Sequence, residues 1–178
     1  TFPSCFMNAS GALCVTRDEL EALGKSGAGA IVTKSMTIES RQGNPTPRYY
    51  GFPGGSINSM GLPNLGYRAY AELIPHLKRF GKPVIASVAG LGEEDFPTIA
   101  EAINAAKPDL IEVNLSCPNI PGKPQIGYDP ETSERVLKKL RPLITVPMGV
   151  KLPPYFDPAH HEAMGKVLGR CGVDFLNM

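Results

Sequence analysis

The run Asp109-Leu110-Ile111-Glu112-Val113-Asn114-Leu115-Ser116-Cys117-Pro118-Asn119 decides the fold. Through Leu115 it alternates, placing Ile111, Val113 and Leu115 on one face of a strand and Glu112 and Asn114 on the other. Pro118 has no N–H to give a ladder, so the strand ends before it. A thiol, Cys117, thus follows the strand's C-terminal end, between the carboxamides of Asn114 and Asn119. A lone buried cysteine is ordinarily a small hydrophobe. The flanking amides and the Gly/Pro-rich loop beyond (Pro121, Gly122, Pro124, Gly127) turn the reading toward a ligand site, because free amide donors and acceptors suit a planar polar molecule.

Outward from this strand, helix-like and strand-like segments alternate. Thr16-Arg17-Asp18-Glu19 is a capping box that opens a helix carrying Leu20 and Leu23, with Gly24 or Gly27 to close it. Gly29 to Thr33 reads as a buried strand, and a helix is expected from Tyr67 to Arg79 with an irregularity at Pro75. Strand Pro83–Val88 and a helix through Thr98 to Ala106 precede the opening run. Asp129-Pro130 and Asp157-Pro158 each pair a capping acid with a first-turn proline, so helices start at both. Val146–Leu152 and Val173–Asn177 read as strands.

With Phe6-Met7-Asn8-Ala9 as a first strand, the pattern is about six strands separated by helices, a parallel α/β fold. Polar and glycine-bearing positions gather at strand C-terminal ends: Asn8 to Gly11, Thr33-Lys34-Ser35, Asn114 to Asn119 and Lys151. That favours a (β/α)8 TIM barrel over an open doubly wound sheet, with the site on that face. A closed barrel takes eight strands and typically about 250 residues. The 178 residues are therefore expected to form a single partial barrel domain, 1–178, truncated at its C-terminus.

From Met36 to Asn64 runs an insertion too long for an ordinary strand-to-helix loop and dense in turn residues, which marks it as functional or disordered; its aromatic and apolar residues argue for order. Gly61 is read as a close-approach position, where successive backbone N–H groups suit a carboxylate. A hydrophobic fraction of 42% is that of a soluble globular protein, and a formal net charge of +1 offers no basic face for nucleic acid. No apolar run is long enough to cross a bilayer, and Thr1-Phe2-Pro3-Ser4 lacks signal-peptide features, so a cytoplasmic setting is expected. Four scattered cysteines (Cys5, Cys14, Cys117, Cys171) with no C-x-x-C pair indicate neither a zinc site nor a disulfide framework. His76, His160 and His161 read as solvated surface residues, which leaves Cys117 without a visible partner for acyl transfer.

At this point the chain resembles the dihydroorotate dehydrogenases, within them the soluble class 1A enzymes that use FMN and hand electrons to fumarate. The matching segments are Phe6 to Gly11, Thr33 to Ser35, Gly43-Asn44-Pro45 with Pro47-Arg48-Tyr49, Ser56 to Asn64 (SINSMGLPN), Asn114 to Gly122 (NLSCPNIPG) and Gly149 to Asp157 (GVKLPPYFD). Cys117 separates it from the membrane-associated class 2 enzymes, which carry serine as the base. The SINSMGLPN and VKLPPYFD wording separates it from class 1B, which pairs with an iron–sulfur and FAD subunit.

The resemblance implies oxidation of dihydroorotate to orotate in pyrimidine (UMP) biosynthesis, with fumarate reduced to succinate, by a homodimer. It implies Cys117 as the general base that takes the proton from carbon 5 while hydride leaves carbon 6, a role that needs some thiolate at neutral pH. It implies flavin contacts from Ala9, Ser10, Gly11, Lys34, Ser35, Asn114 and Lys151. Substrate contacts are implied from Lys34, Asn58, Asn114 and Asn119, and from the backbone N–H groups of Met60, Gly61 and Leu62. Turns holding the FMN phosphate are expected beyond Met178, and the loop from Pro118 to Tyr128 is expected to act as a lid. Two other readings stay open: a non-catalytic partial barrel lacking the phosphate site, and a related FMN enzyme acting on another dihydropyrimidine.

Overall fold

A computed structural model describes residues 1–116 and 126–178. Cys117, Asn119 and most of the expected lid lie outside the described residues. In chain order the helices are α1 (Arg17–Lys25), α2 (Tyr67–Leu77), α3 (Asp95–Ala105), α4 (Pro130–Leu140) and α5 (Pro158–Arg170). The strands are β1 (Ile31–Val32), β2 (Tyr49–Phe52), β3 (Gly55–Asn58), β4 (Val84–Val88), β5 (Leu110–Asn114), β6 (Met148–Lys151) and β7 (Phe175–Asn177). Five of them form one parallel sheet in the order β1-β4-β5-β6-β7, each strand joined to the next through a helix, and the sheet curls into half a TIM barrel.

Local chemistry places the helices. The Thr16 hydroxyl accepts from Glu19 N–H, and the Glu19 carboxylate accepts from the N–H groups of Thr16 (2.9 Å) and Val15 (2.8 Å), completing the capping box. Asp129 caps α4 and Asp157 caps α5, each followed by the expected proline. Neither Gly24 nor Gly27 ends α1, which runs to Lys25 with Ser26 as its cap. Gly24 is instead a packing position: a β-carbon there would come within 2.5 Å of the Phe80 ring. Pro75 lies inside α2, and the helix tightens into a 3-10 turn at Lys78–Phe80.

The alternation read in β5 sorts the whole sheet. Ile31, Ala86, Val88, Ile111, Val113, Met148 and Val150 face outward into a core shared with Leu20, Tyr70, Ile74, Phe96, Ile99, Val136, Leu137 and Val167 of the helices. The inner face carries a smaller apolar layer, Ala30, Val32 and Ile85 with Leu110 and Phe175. Ser87, Glu112 and Asn114 follow on that face toward the strand C-terminal ends and are buried. Gly149, paired with Phe175, leaves room for its ring; a β-carbon would come within 2.2 Å of it.

Two expectations are corrected. Phe6 to Ala9 is not a strand, so the parallel sheet has five strands where about six were expected. The segment runs beside β1 on one backbone bond, Gly29 N–H to Phe6 C=O (2.7 Å), and on the Asn8 carboxamide. That side chain takes both groups of Val32, accepting from its N–H (2.9 Å) and donating to its C=O (2.7 Å), where a strand would use backbone. The insertion, read as a turn-rich loop, contains an antiparallel hairpin of β2 and β3, exposed along both strands.

Candidate active site

Five stretches of chain meet at the C-terminal end of the sheet: the turn after Asn8, the residues just after β1, the end of the insertion, and the tips of β5 and β6. They enclose a cleft of about 140 Å³. Its walls are Ser10, Gly11 and Ala12; Lys34, Asn114, Ser116 and Lys151 from the strand ends; and Asn58, Met60 and Leu62 from the insertion. A wider groove of about 450 Å³ between α4 and α5 is lined by charges already engaged with one another, such as Glu134 with Arg170 (2.9 Å), and has no such convergence of donors.

The Ser10–Ala12 turn is tied down from below. Lys34 Nζ donates to Gly11 C=O (2.7 Å), and the Cys14 thiol donates to the same carbonyl (3.4 Å). Burial pushes the Cys14 thiol up to about 11, partly offset by the Lys34 charge, so this cysteine is an anchor and not a base. Lys151 Nζ donates to Ser10 Oγ (2.7 Å), which donates to Glu112 Oε1 (3.0 Å). A β-carbon on Gly11 would meet nothing within 4 Å, so the floor opens onto free space there. Among the described residues, Lys34 and Lys151 bring two ammonium groups to the cleft wall, with the Glu112 carboxylate behind it on Ser10, an arrangement suited to an anionic ligand.

A second arm runs through Asn114. Its Oδ1 accepts from the Ser116 N–H (2.9 Å) and hydroxyl (2.8 Å), and its Nδ2 donates to Ser35 Oγ (2.8 Å). Ser35 and Ser87 hydroxyls lie 2.9 Å apart, and Ser87 Oγ donates to Glu112 Oε1 (2.8 Å). Asn177 Nδ2 reaches Glu112 Oε2 (2.8 Å). Of the residues singled out in the sequence, Ser10, Gly11, Lys34, Asn58, Met60, Leu62, Asn114 and Lys151 come together in the cleft, and Ser35 supports it from beneath. Ala9 is outside the lining and exposed; Gly61 is outside it and packs on Asn44, whose backbone N would lie 2.5 Å from a β-carbon. Reading the sequence missed Ser87 and Glu112, although Glu112 shares a strand face with Asn114 and was visible there.

The histidines stand away from the cleft. His76 is not a freely solvated residue as expected: it is half-buried and bonds Glu21 (2.8 Å), with Arg17 and Arg79 on the same ring. His160 stacks on Tyr155, ring centroids 5.7 Å apart, and His161 meets the same ring edge-on. No helix among the described residues is long and apolar enough to cross a membrane.

The family-wide pattern for dihydroorotate dehydrogenase matches residues 1–178. A relative in Lactococcus lactis subsp. lactis, named dihydroorotate dehydrogenase A (fumarate), is 44% identical over 180 residues, 99% of this chain and 58% of the relative. Relatives in Streptococcus uberis (46% over 179 residues) and Streptococcus pyogenes serotype M5 (47% over 180), whose names give the same enzyme as a provisional assignment, are covered to the same 99% and 58%. The chain thus spans little more than half the length of the relatives it matches. A half-barrel with its polar cleft at the strand C-terminal ends, matched along its entire length, belongs to the dihydroorotate dehydrogenase family.

Proposed function

We propose that the protein oxidises dihydroorotate to orotate with FMN as its cofactor and fumarate as electron acceptor, in pyrimidine biosynthesis. The observation that carries this reading is the convergence of Lys34, Asn58, Asn114 and Lys151 over the small residues Ser10 and Gly11 in one cleft. The residues present fit a flavin ring: small side chains and free space over Gly11 admit a flat group, and Lys151 brings a cation to it. FMN, when bound, supplies the acceptor for the hydride from carbon 6. The enclosed 140 Å³ is below the ~300–1,000 Å³ of pockets that bury a whole cofactor-sized ligand, as suits one wall of a site.

In this reading Ser10, Gly11, Lys34, Ser35, Asn114 and Lys151 hold the flavin, with Ala9 at its margin. Lys34, Asn58, Asn114 and Asn119 orient the substrate, and the backbone of Met60, Gly61 and Leu62 holds its carboxylate. Cys117 takes the proton from carbon 5. An ordinary thiol is a few per cent thiolate at neutral pH, and it is that thiolate which receives the carbon 5 proton and becomes the thiol while hydride leaves carbon 6. The family resemblance further implies a homodimer in the cytoplasm, which light scattering and cell fractionation test.

The decisive experiment uses the protein expressed from its complete gene. Purified protein should carry about one FMN per chain and reduce fumarate with dihydroorotate. Cys117→Ser should keep FMN and orotate binding but slow flavin reduction by roughly 10²–10⁴ near neutral pH, recovering as pH rises. Stopped-flow reduction at wild-type speed across that range would remove Cys117 from the base role. Protein without flavin would point to the non-catalytic barrel, and faster turnover of dihydrouracil to another dihydropyrimidine as substrate.

A further inference from the structure

Glu112 sits on the inner face of β5, is 2% exposed, and is the one buried carboxylate among the described residues. A buried carboxylate is costly without full hydrogen bonding. Three donors satisfy it: the Ser10 and Ser87 hydroxyls on Oε1 and the Asn177 amide on Oε2. No ammonium group touches it directly in the described structure; Lys151 reaches it only through Ser10.

The proton count along the chain gives it a direction. An ammonium group only donates, so Ser10 Oγ accepts from Lys151 and spends its single proton on Glu112. Ser87 likewise gives its proton to Glu112, which leaves the Ser35 hydroxyl to donate to Ser87. With its proton committed, Ser35 Oγ accepts from Asn114 Nδ2. That turns Asn114 Oδ1 toward the N–H and hydroxyl of Ser116, the residue before Cys117. Both arms therefore end on one acceptor.

We propose that Glu112 is a positioning residue of this site: as the common acceptor of both hydrogen-bond arms, it holds Lys151, through Ser10, and the Asn114 amide, through Ser87 and Ser35, in the places from which they meet a bound ligand. The identity of that ligand rests on the functional reading above. Without the carboxylate, Ser87 is free to donate back to Ser35 and compete with the Asn114 amide for its lone pairs, so that Asn114 is held firmly at its Ser116 end alone. Glutamine preserves the arrangement, because its amide oxygen accepts from Ser10 and Ser87 while its NH₂ faces Asn177, whose amide turns to offer oxygen.

The test uses the protein expressed from its complete gene, first flavin-free, with Glu112→Leu, Glu112→Gln and Ser87→Ala. Hydrogen exchange of the Asn114 side-chain amide, read by ¹H–¹⁵N NMR, should quicken about tenfold in Glu112→Leu and Ser87→Ala and stay within about twofold of wild type in Glu112→Gln. With FMN bound, Ser87→Ala, which leaves the Lys151–Ser10–Glu112 link in place, should weaken orotate binding about tenfold and move the flavin midpoint potential less than Glu112→Leu does. Exchange within twofold of wild type in Glu112→Leu and Ser87→Ala, or a Glu112→Gln that behaves as the leucine does, overturns the proposal. Should Glu112→Leu fail to fold, Ser87→Ala judges it alone: unchanged exchange overturns, faster exchange supports. A wild type that takes up no flavin defeats the functional reading, while amide exchange still decides the role of Glu112.

Discussion

Carboxylates on the helix surfaces and the carboxylate inside the sheet are handled in opposite ways. Glu21 faces Arg17 (2.8 Å), Lys25 (3.6 Å) and His76 (2.8 Å), and Glu134 faces Lys138 (3.0 Å) and Arg170 (2.9 Å), so each meets cations directly. Glu112 meets two hydroxyls and an amide, with its nearest described cation one hydroxyl away. On the surface, water replaces any partner that drifts off, so such pairs link α1 to α2 and α4 to α5 at little net gain. Inside, no water stands in, and each donor has one place to send its proton. Direct pairing neutralises charge; pairing through a hydroxyl holds the groups in place while keeping the Lys151 ammonium off the carboxylate itself.

The largest effect that could break this contrast is at Lys151. If its charge serves a ligand, Lys151→Ala should lower FMN affinity on the order of 10²-fold and make the flavin harder to reduce, because a fixed cation favours electron uptake beside it. Redox titration with unchanged midpoint potential and full FMN occupancy would leave Lys151 a strand-end lysine no different from those on the helices. A middling effect is expected in the insertion, where backbone and not charge is held in place. Gly61 has φ +71° and its α-carbon faces Asn44, so Gly61→Ala should introduce about 1–3 kcal/mol of local strain. Orotate affinity should then fall through Met60 and Leu62 while thermal unfolding of the sheet moves little; a variant with wild-type orotate affinity would show the insertion to be slack.

The smallest effect belongs to the surface. Arg17 and His76 hold the Glu21 carboxyl down at about 2, from an ordinary 4.5. A carboxyl depressed in the folded state stabilises above its unfolded value, and that contribution is lost as pH falls through the folded one. Glu21→Gln should therefore have a slightly lower Tm than wild type at pH 7, with the gap closing between pH 4.5 and about 2. A gap that is constant with pH would assign the effect to packing and not to charge.

What could be read in the sequence was what short-range physics decides. Thr16 with Glu19, Asp129 and Asp157 start their helices through contacts within a turn, and the alternation of Ile111, Glu112, Val113 and Asn114 assigns the faces of β5. The hairpin had a local signal too, Pro53-Gly54 between Tyr49–Phe52 and Gly55–Asn58 with Gly54 at φ +93°, but it was hidden among neighbouring prolines and glycines. The interior network had none, because Ser10 and Glu112 stand 102 positions apart and meet only once the sheet has curled. Phe6-Met7 looked like a strand start from its apolar pair, yet Phe6 is 79% exposed, and the contact that places the segment is the side chain of Asn8 on a residue 24 positions away.

That Asn8 contact also bears on how the molecule keeps to itself. Ile31 N–H and Thr33 N–H point to β4, so Val32 presents its N–H and C=O on the opposite side of β1, the kind of open margin on which a stray extended chain from another molecule can build. The Asn8 carboxamide occupies both of those groups with a side chain that offers no further rung. With both groups engaged, Val32 presents no free backbone rung on that side, and a chain pairing there would first have to displace the Asn8 side chain.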